Sequence, residues 1–346
     1  MMIKSNILFA LLITISQSFG QWTTIDIPTK ASFRALKSKE HQIWAGGTQG
    51  TVGYSSDSGN TWIFKQIKGA EKLDFRDLVI ISDQEILLMS AGPSEEEKAS
   101  IWRTIDGGAN WEIVFEKKVP GYFFDCFQWD YQKQEGWLLA DPIQQKLTLF
   151  HVKENTYTQI NTNLAPTLQP KEAFFAASGS SLILQDDKFT LVGGGAPLAR
   201  IYQKKNKRSE WTYLATGIET GEAKGYFSIG AKNNKELWAV GGDYRKLNES
   251  TIPIITTQDG GKTWHSLSDA PKFYMEKVIW AKPYWLICGP SQSAAYHERK
   301  KIWKNLGPSS YHNIIQVGKE IWGIGAKGQL GKISLSSIDK LFLTEK

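Results

Sequence analysis

One octet occurs three times in this chain, and it limits the possible folds more than any other feature. The copies run from Ser55 to Trp62 (SSDSGNTW), from Thr104 to Trp111 (TIDGGANW) and from Thr257 to Trp264 (TQDGGKTW). Asp57 and Asp106 lie about 50 residues apart, and Asp259 follows after about three more such intervals. A fixed period of that size signals a repeat architecture. Within each copy a short Asp side chain accepts hydrogen bonds from backbone N–H groups just ahead of it. Gly supplies the positive φ of a tight hairpin. The Ser or Thr hydroxyl adds a weaker local bond. The Trp (Trp62, Trp111 or Trp264) opens the next strand and offers an apolar face to a neighbouring unit. The octets therefore read as self-satisfied β-hairpins, with Asp57, Asp106 and Asp259 structural. Calcium binding or catalysis by these carboxylates is the alternative.

Around each octet the sequence divides into four short strands rich in aromatic and β-branched residues. In the first unit they are Ser32 to Ser38, Gln42 to Gly46, Thr51 to Ser55 and Thr61 to Ile67. Decayed units are found by their aromatics. Trp22, Trp62, Trp111, Tyr157, Trp211, Trp264 and Trp303 mark the outer strand. Trp44, Leu87, Trp137, Thr190, Trp238, Trp285 and Trp322 mark the second strand. The first outer strand, Gln21 to Ile27, precedes any inner strand, and the last unit lacks a fourth strand of its own. The N-terminal strand can complete that unit and remove the exposed edges. The expected fold is all-β: a seven-bladed β-propeller over residues 21–346, closed by the N-terminal strand, with the tail 338–346 unassigned.

The net charge of +6 would suit an anionic partner. The basic residues are dispersed, however, and the runs Lys204–Arg208 and Arg299–Lys301 each precede a strand-opening Trp. They read as solvated hairpin tips, so no nucleic-acid partner is expected. The two cysteines, Cys126 and Cys288, fall in different units and read as buried thiols. Residues 1–20 read as a signal peptide: Lys4, an apolar run from Ile7 to Ile15, and Ser18 and Gly20 before the cut. That run is too short to span a bilayer. An exported monomer, periplasmic or secreted and without membrane insertion, is expected.

The octets resemble the Asp-box, or BNR, repeat. The wider stretch from Trp44 to Trp62 resembles the photosystem II stability and assembly factor family, and the resemblance implies a seven-bladed propeller. Features such as Ala31-Ser32-Phe33-Arg34, Leu73-Asp74-Phe75-Arg76-Asp77, Ala140-Asp141-Pro142 and Gly241-Gly242-Asp243 are similar to secreted Bacteroidetes members of that superfamily, often labelled oxidoreductase or glycosyl hydrolase.

Strand direction alternates within a blade, so first-strand starts and second-strand ends share one face, opposite the octets. First-strand starts are expected to present Arg34, Arg76, Asp125, Glu172, Tyr226, Tyr274 and His312, and second-strand ends Asp141 and Asp243. These groups would converge at the mouth of a central channel. Arg34 and Arg76 suit a forked grip on a carboxylate, with Tyr226, Asp243, Tyr274 and His312 as further ligand-binding candidates. Asp125, Asp141 and Glu172 are the candidates for an acid–base pair. The alternative is that the same groups pair across the channel and close it.

A sialidase needs three arginines on the substrate carboxylate, and only two fall on this face. Gly193-Gly194-Gly195 has no strand–turn–helix context, so it is no dinucleotide fingerprint. No His or Cys grouping has metal-ligand spacing, and neither metal nor cofactor is expected. The sequence thus points to a binding or assembly scaffold with a protein or glycan ligand at the channel mouth. A glycoside hydrolase using paired carboxylates is the alternative, and an oxidoreductase the third.

Overall fold

The computed structural model describes residues 22–162, 165–206, 209–249, 251–308 and 310–343. The expected signal peptide lies outside the described residues, as do Lys207 and Arg208 of the first basic run. Among the described residues, no helix is long and apolar enough to cross a membrane.

Seven four-stranded antiparallel sheets form a β-propeller. Blade 1 comprises Phe33–Lys39, Gln42–Gly47, Thr51–Ser55 and Ile63–Gln66. Blade 2 comprises Phe75–Ile80, Ile86–Ser90, Ala99–Thr104 and Glu112–Lys117. Blade 3 comprises Phe124–Asp130, Glu135–Ile143, Lys146–Lys153 and Thr156–Gln159. Blade 4 comprises Leu182–Gln185, Lys188–Val192, Leu198–Lys204 and Trp211–Glu219. Blade 5 comprises Lys224–Ala231, Leu237–Asp243, Ile255–Thr257 and His265–Ser266. Blade 6 comprises Lys277–Ala281, Tyr284–Cys288, Ser293–His297 and Ile302–Asn305. Blade 7 takes Tyr311–Val317, Glu320–Gly325 and Leu330–Ser334 from the C-terminal end, and its outer strand is Thr23–Ile25. Thr24 lies opposite Gly331 in that closing pair. Trp22 anchors it: the indole packs on Tyr311 at 4.4 Å and donates to Ser293 Oγ at 2.9 Å.

The octets close their own hairpins. Asp57 accepts from Ser55 Oγ at 2.8 Å, from the Thr61 N–H at 2.8 Å and from Thr61 Oγ1 at 2.7 Å. Asp106 and Asp259 repeat the set with Thr104 and Asn110, and with Thr257 and Thr263. These bonds hold Asp57 and Asp106 down at about 2.

The octet also locks blade to blade. Gly108 has φ +83°, and a Cβ there would meet the Trp44 ring of blade 1 at 2.8 Å. Gly59 has φ +89° and lies against Trp322 of blade 7 in the same way. The octet glycine and the second-strand Trp of the preceding blade are therefore one packing unit. Trp62 adds to it against Trp322 (5.7 Å), and Trp111 against Trp44 (6.1 Å). In blade 4 the second-strand position is Thr190, and Gln203 fills the gap beneath the blade 5 octet by bonding both Thr190 Oγ1 and the Gly260 carbonyl.

Two segments differ from the sequence reading. The tail forms a helix, Leu335–Leu341, capped by Ser334, whose Oγ accepts from the Ser337 N–H. It docks through the fully buried Ile338, through Phe342 on Tyr284 (5.2 Å), and through Asp339 on the Tyr284 hydroxyl. The first strand of blade 4 begins at Leu182, not near Glu172. The residues between them cross the propeller axis. Gln128 of blade 3 donates to the Gly179 carbonyl at 3.0 Å, and Asn313 of blade 7 to the Ser178 carbonyl at 3.1 Å. Ser178 Oγ donates to the Glu276 carbonyl beside blade 6 at 2.6 Å, and Ser180 Oγ to Ser228 of blade 5 at 2.8 Å. Gly179 has φ +60°, and any side chain there would collide with the Asp77 carboxyl of blade 2. Only a segment on the axis can touch blades 2, 3, 5, 6 and 7 at once. Ser178–Ser180 is a plug that divides the channel into two mouths.

The closing strand and the octet–Trp unit give separate tests. Trp22→Ala is expected to cost about 2–4 kcal/mol in urea unfolding, since it removes a large partly buried ring and a hydrogen bond. Gly108→Ala, which combines a strained φ with a collision on Trp44, is expected to lower the unfolding free energy by about 1–3 kcal/mol, read as a lower urea midpoint.

Candidate functional site

First strands enter the axis through a recurring local device. Five of them carry a register shift just after a buried aromatic: Phe33/Ala35, Phe75/Asp77, Phe124/Cys126, Tyr226/Ser228 and Tyr311/Asn313. A β-bulge of this kind re-aims one side chain. In each case a fully buried aromatic comes first (Phe33, Phe75, Phe124, Tyr226, Tyr311), and the residue in the bulge follows: Arg34, Arg76, Asp125, Phe227, His312. Blades 4 and 6 lack the bulge but keep the dipeptide, as Phe174-Phe175 and Phe273-Tyr274. The aromatic is an anchor in the blade, and its successor faces the axis.

Five of these seven successors line a cavity of about 400 Å3 on the face away from the octets: Arg34, Arg76, Phe175, Phe227 and Tyr274. Tyr244, Leu247 and Pro290 complete its outer wall, and Glu276 lies at its base. Phe175 stacks on Phe227 at 3.9 Å, and Tyr274 meets Phe227 edge-on at 4.9 Å. This is an aromatic wall facing an arginine-bearing one.

The base is a closed polar cluster. Glu276 accepts from Arg34 Nη1 with both oxygens, at 2.9 and 3.0 Å. It also accepts from the Tyr274 hydroxyl at 3.0 Å and lies 2.5 Å from His312 Nδ1. Burial alone would raise this carboxyl, but Arg34 and His312 outweigh it and hold it down at about 2. Arg34, Tyr274 and His312 are thus brought together as expected, around a carboxylate that the strand-start reading did not include. Glu276 takes Nη1 of Arg34 with both of its oxygens, so the Arg34 charge already has a partner. Arg76 Nε pairs with Asp74 at 2.7 Å, and its side chain stays partly exposed at the mouth.

Five other candidates lie elsewhere. Tyr226 points out of the channel, with its hydroxyl donating to the Pro253 carbonyl at 3.1 Å, because it is the anchor of its dipeptide. Phe227 takes the expected place. Glu172 precedes the plug and is held by Tyr202 Oη (2.8 Å) and the Gln169 N–H (2.7 Å), with Arg200 at 3.9 Å. Phe175 takes its place at the mouth. Asp243 caps a turn by accepting from the Arg245 N–H at 2.9 Å. Asp125 is fully buried, and neither of its oxygens finds a hydrogen-bond partner among the described residues. Burial, then the Asp141 charge, push it well above the usual carboxylate range, and Arg76 offsets only part of that. Asp141 accepts from the Phe174 N–H at 2.9 Å, and burial raises it to about 7. Asp125, Asp141 and Glu172 therefore do not form an accessible acid–base pair in this structure: the first is enclosed and the third is on another path.

Both cysteines are buried and free, as expected. The acidic grouping of Asp130, Glu135 and Asp187 already has partners: Lys133 bridges Asp130 and Asp187, and His151 Nε2 lies 3.0 Å from Glu135.

The architecture is that of a seven-bladed β-propeller with a plugged channel and an aromatic, arginine-bearing mouth. Solved structures similar to it include YCF48 bound to D1 peptide, at a TM-score of 0.64 and 14% identity over 92% of this chain and 96% of that one. YCF48 from Cyanidioschyzon merolae gives 0.65 and 14%, over 91% and 99%. The computationally designed Ika8 protein gives 0.52 and 8%, over 88% and 97%. At such identities the likeness is one of fold. No protein-family model matches the chain, and no curated protein does.

The Glu276 cluster makes a pH prediction. The ordinary value of this carboxyl is 4.5, and in the fold it is about 2. Its folded value is depressed, so its contribution is full above about pH 5 and is lost as the pH falls toward 2. Glu276→Gln leaves Arg34 and His312 around a neutral amide and is expected to cost about 3–5 kcal/mol at pH 7. Urea midpoints measured from pH 7 to pH 3 are expected to fall less steeply in the variant than in the wild type.

Proposed function

We propose that this protein is an exported binding scaffold whose ligand is a peptide segment of another protein, held at the mouth away from the octets. The observation that carries the reading is the lining of the cavity of about 400 Å3: a stacked aromatic wall with Tyr244 at its rim, facing Arg76. Such a surface suits an apolar or aromatic side chain flanked by a carboxylate. The carboxylates that a hydrolase would need are enclosed or paired. A solved propeller of similar fold is described as bound to a peptide, which supports the same ligand class here. Export rests on the N-terminal sequence pattern, and a mature protein starting at Gln21 is what N-terminal sequencing of the exported form should read.

The purified protein, screened on a peptide array with a glycan array in parallel, is expected to retain acidic–aromatic peptides and no glycan. Arg76→Ala combined with Tyr244→Ala, both at the partly exposed rim, should weaken the best peptide at least about tenfold, which is about 1.4 kcal/mol. Glycan turnover by the wild type, or peptide affinity unchanged in the double variant, would overturn the reading.

A further inference from the structure

Below the plug, the octet-side mouth of the channel is a second cavity of about 370 Å3. Lys37 and Lys277 both line it. Lys37 Nζ lies 2.8 Å from Asp77 Oδ1 and donates to the Phe127 carbonyl at 2.9 Å. Asp77 also accepts from the Leu78 and Phe127 N–H groups, at 2.8 and 2.7 Å. Lys277 reaches only the Ser178 carbonyl of the plug, at 3.4 Å, and has no carboxylate within ion-pairing distance among the described residues. The cluster therefore holds two ammonium groups against one carboxylate that is already fully engaged.

The other titratable neighbours do not restore the balance. Burial raises the Cys126 thiol to about 11 and pushes Cys288 well above its usual range. Neither supplies a negative charge at neutral pH. Burial, with Lys37 alongside, lowers Lys277 to about 8, so it is mostly charged at pH 7. A buried ammonium is costly unless an anion pairs with it. Trp129, Trp280 and Tyr131 line the same cavity as flat apolar surfaces beside the two lysines.

We propose that the octet-side mouth binds a small free carboxylate with an aromatic tail, its carboxylate on Lys277 and Lys37 and its ring against Trp129 or Trp280. One anion supplies the charge that Asp77 alone does not. The site is separate from the peptide mouth, because the plug lies between them.

Phenylacetate is the probe, with phenylacetamide as its neutral twin, in ligand-observed NMR titrations of the purified protein. Saturable binding of phenylacetate at pH 7 is expected, with the amide at least about tenfold weaker. The anion favours protonated Lys277, so wild-type affinity should fall about 30-fold between pH 7 and pH 9.5 as Lys277 loses its proton near pH 8. Lys277→Met should abolish the preference for the acid over the amide. No saturable phenylacetate binding, an amide that binds equally well, or an affinity flat from pH 7 to 9.5 would each overturn the proposal. The amide and pH arms use the wild-type protein, so they decide the matter even where the variant fails to fold.

Discussion

The pairing of Thr23–Ile25 with Leu330–Ser334 is the constraint on which the rest depends. It joins the two ends of the chain in one sheet and converts a row of blades into a ring. Before it forms, blade 7 has a bare edge, and blade 1 has nothing on one side. Afterwards the first strands pack in sequence around the axis, and the first strand of blade 1 rests on that of blade 7. The two mouths exist only because of this. Arg34 of blade 1 and Glu276 beside blade 6 meet across the seam that the closing strand seals. The cost of the arrangement is a long-range contact that must be made late, since loop closure over most of the chain precedes any gain from it.

Closure alone does not fix the angle between blades. At the junctions of blade 1 with blades 2 and 7, the octet glycines and the second-strand tryptophans fix it. A glycine at φ near +85° presents a bare Cα to the neighbouring indole, as Gly108 does to Trp44 and Gly59 to Trp322. The backbone conformation and the close approach are satisfied by the same residue. This explains why the aspartates spend their hydrogen bonds on the hairpin itself: the turn has to be rigid for the glycine to sit against the ring. Where the indole is missing, at Thr190, a polar filler from the next strand, Gln203, bonds both sides of the gap.

The seven blades were legible because the octet and the two aromatic series repeat at a fixed period, and a period survives the decay of single members. Tyr157 still marks its blade without any octet around it. The mouth was only partly legible. Counting from strand starts lands on the bulge residue for Arg34, Arg76 and His312, but on the aromatic anchor for Tyr226, one residue short of Phe227. The aromatic-plus-successor dipeptide was present in all seven units and would have selected Phe175 and Phe227 directly. Glu276 was illegible for a different reason. It lies outside the repeated dipeptide, two residues after Tyr274, and its importance comes from Arg34 and His312 in distant sequence. The plug was hidden too, since Ser178-Gly179-Ser180 reads as an ordinary loop until its partners on five blades are known.

The plug gives the two ends of the channel different chemistry. At the upper mouth, one carboxylate sits among two basic side chains and a phenol, and every charge has a partner within hydrogen-bond distance. On the proposed reading, a ligand there gains little by bringing charge to Arg34, and the aromatic wall and Arg76 carry the recognition. At the lower mouth, Asp77 meets Lys37, and Lys277 has only a peptide carbonyl at 3.4 Å. The same ring thus presents a neutralised, aromatic cavity on one face and an electrically unfinished one on the other. Both depend on Gly179, the one plug residue for which the Asp77 carboxyl leaves no room for a side chain. A plug with any larger residue there would have to withdraw from Asp77, and Lys37 and Lys277 would then lose the wall that keeps them out of bulk water.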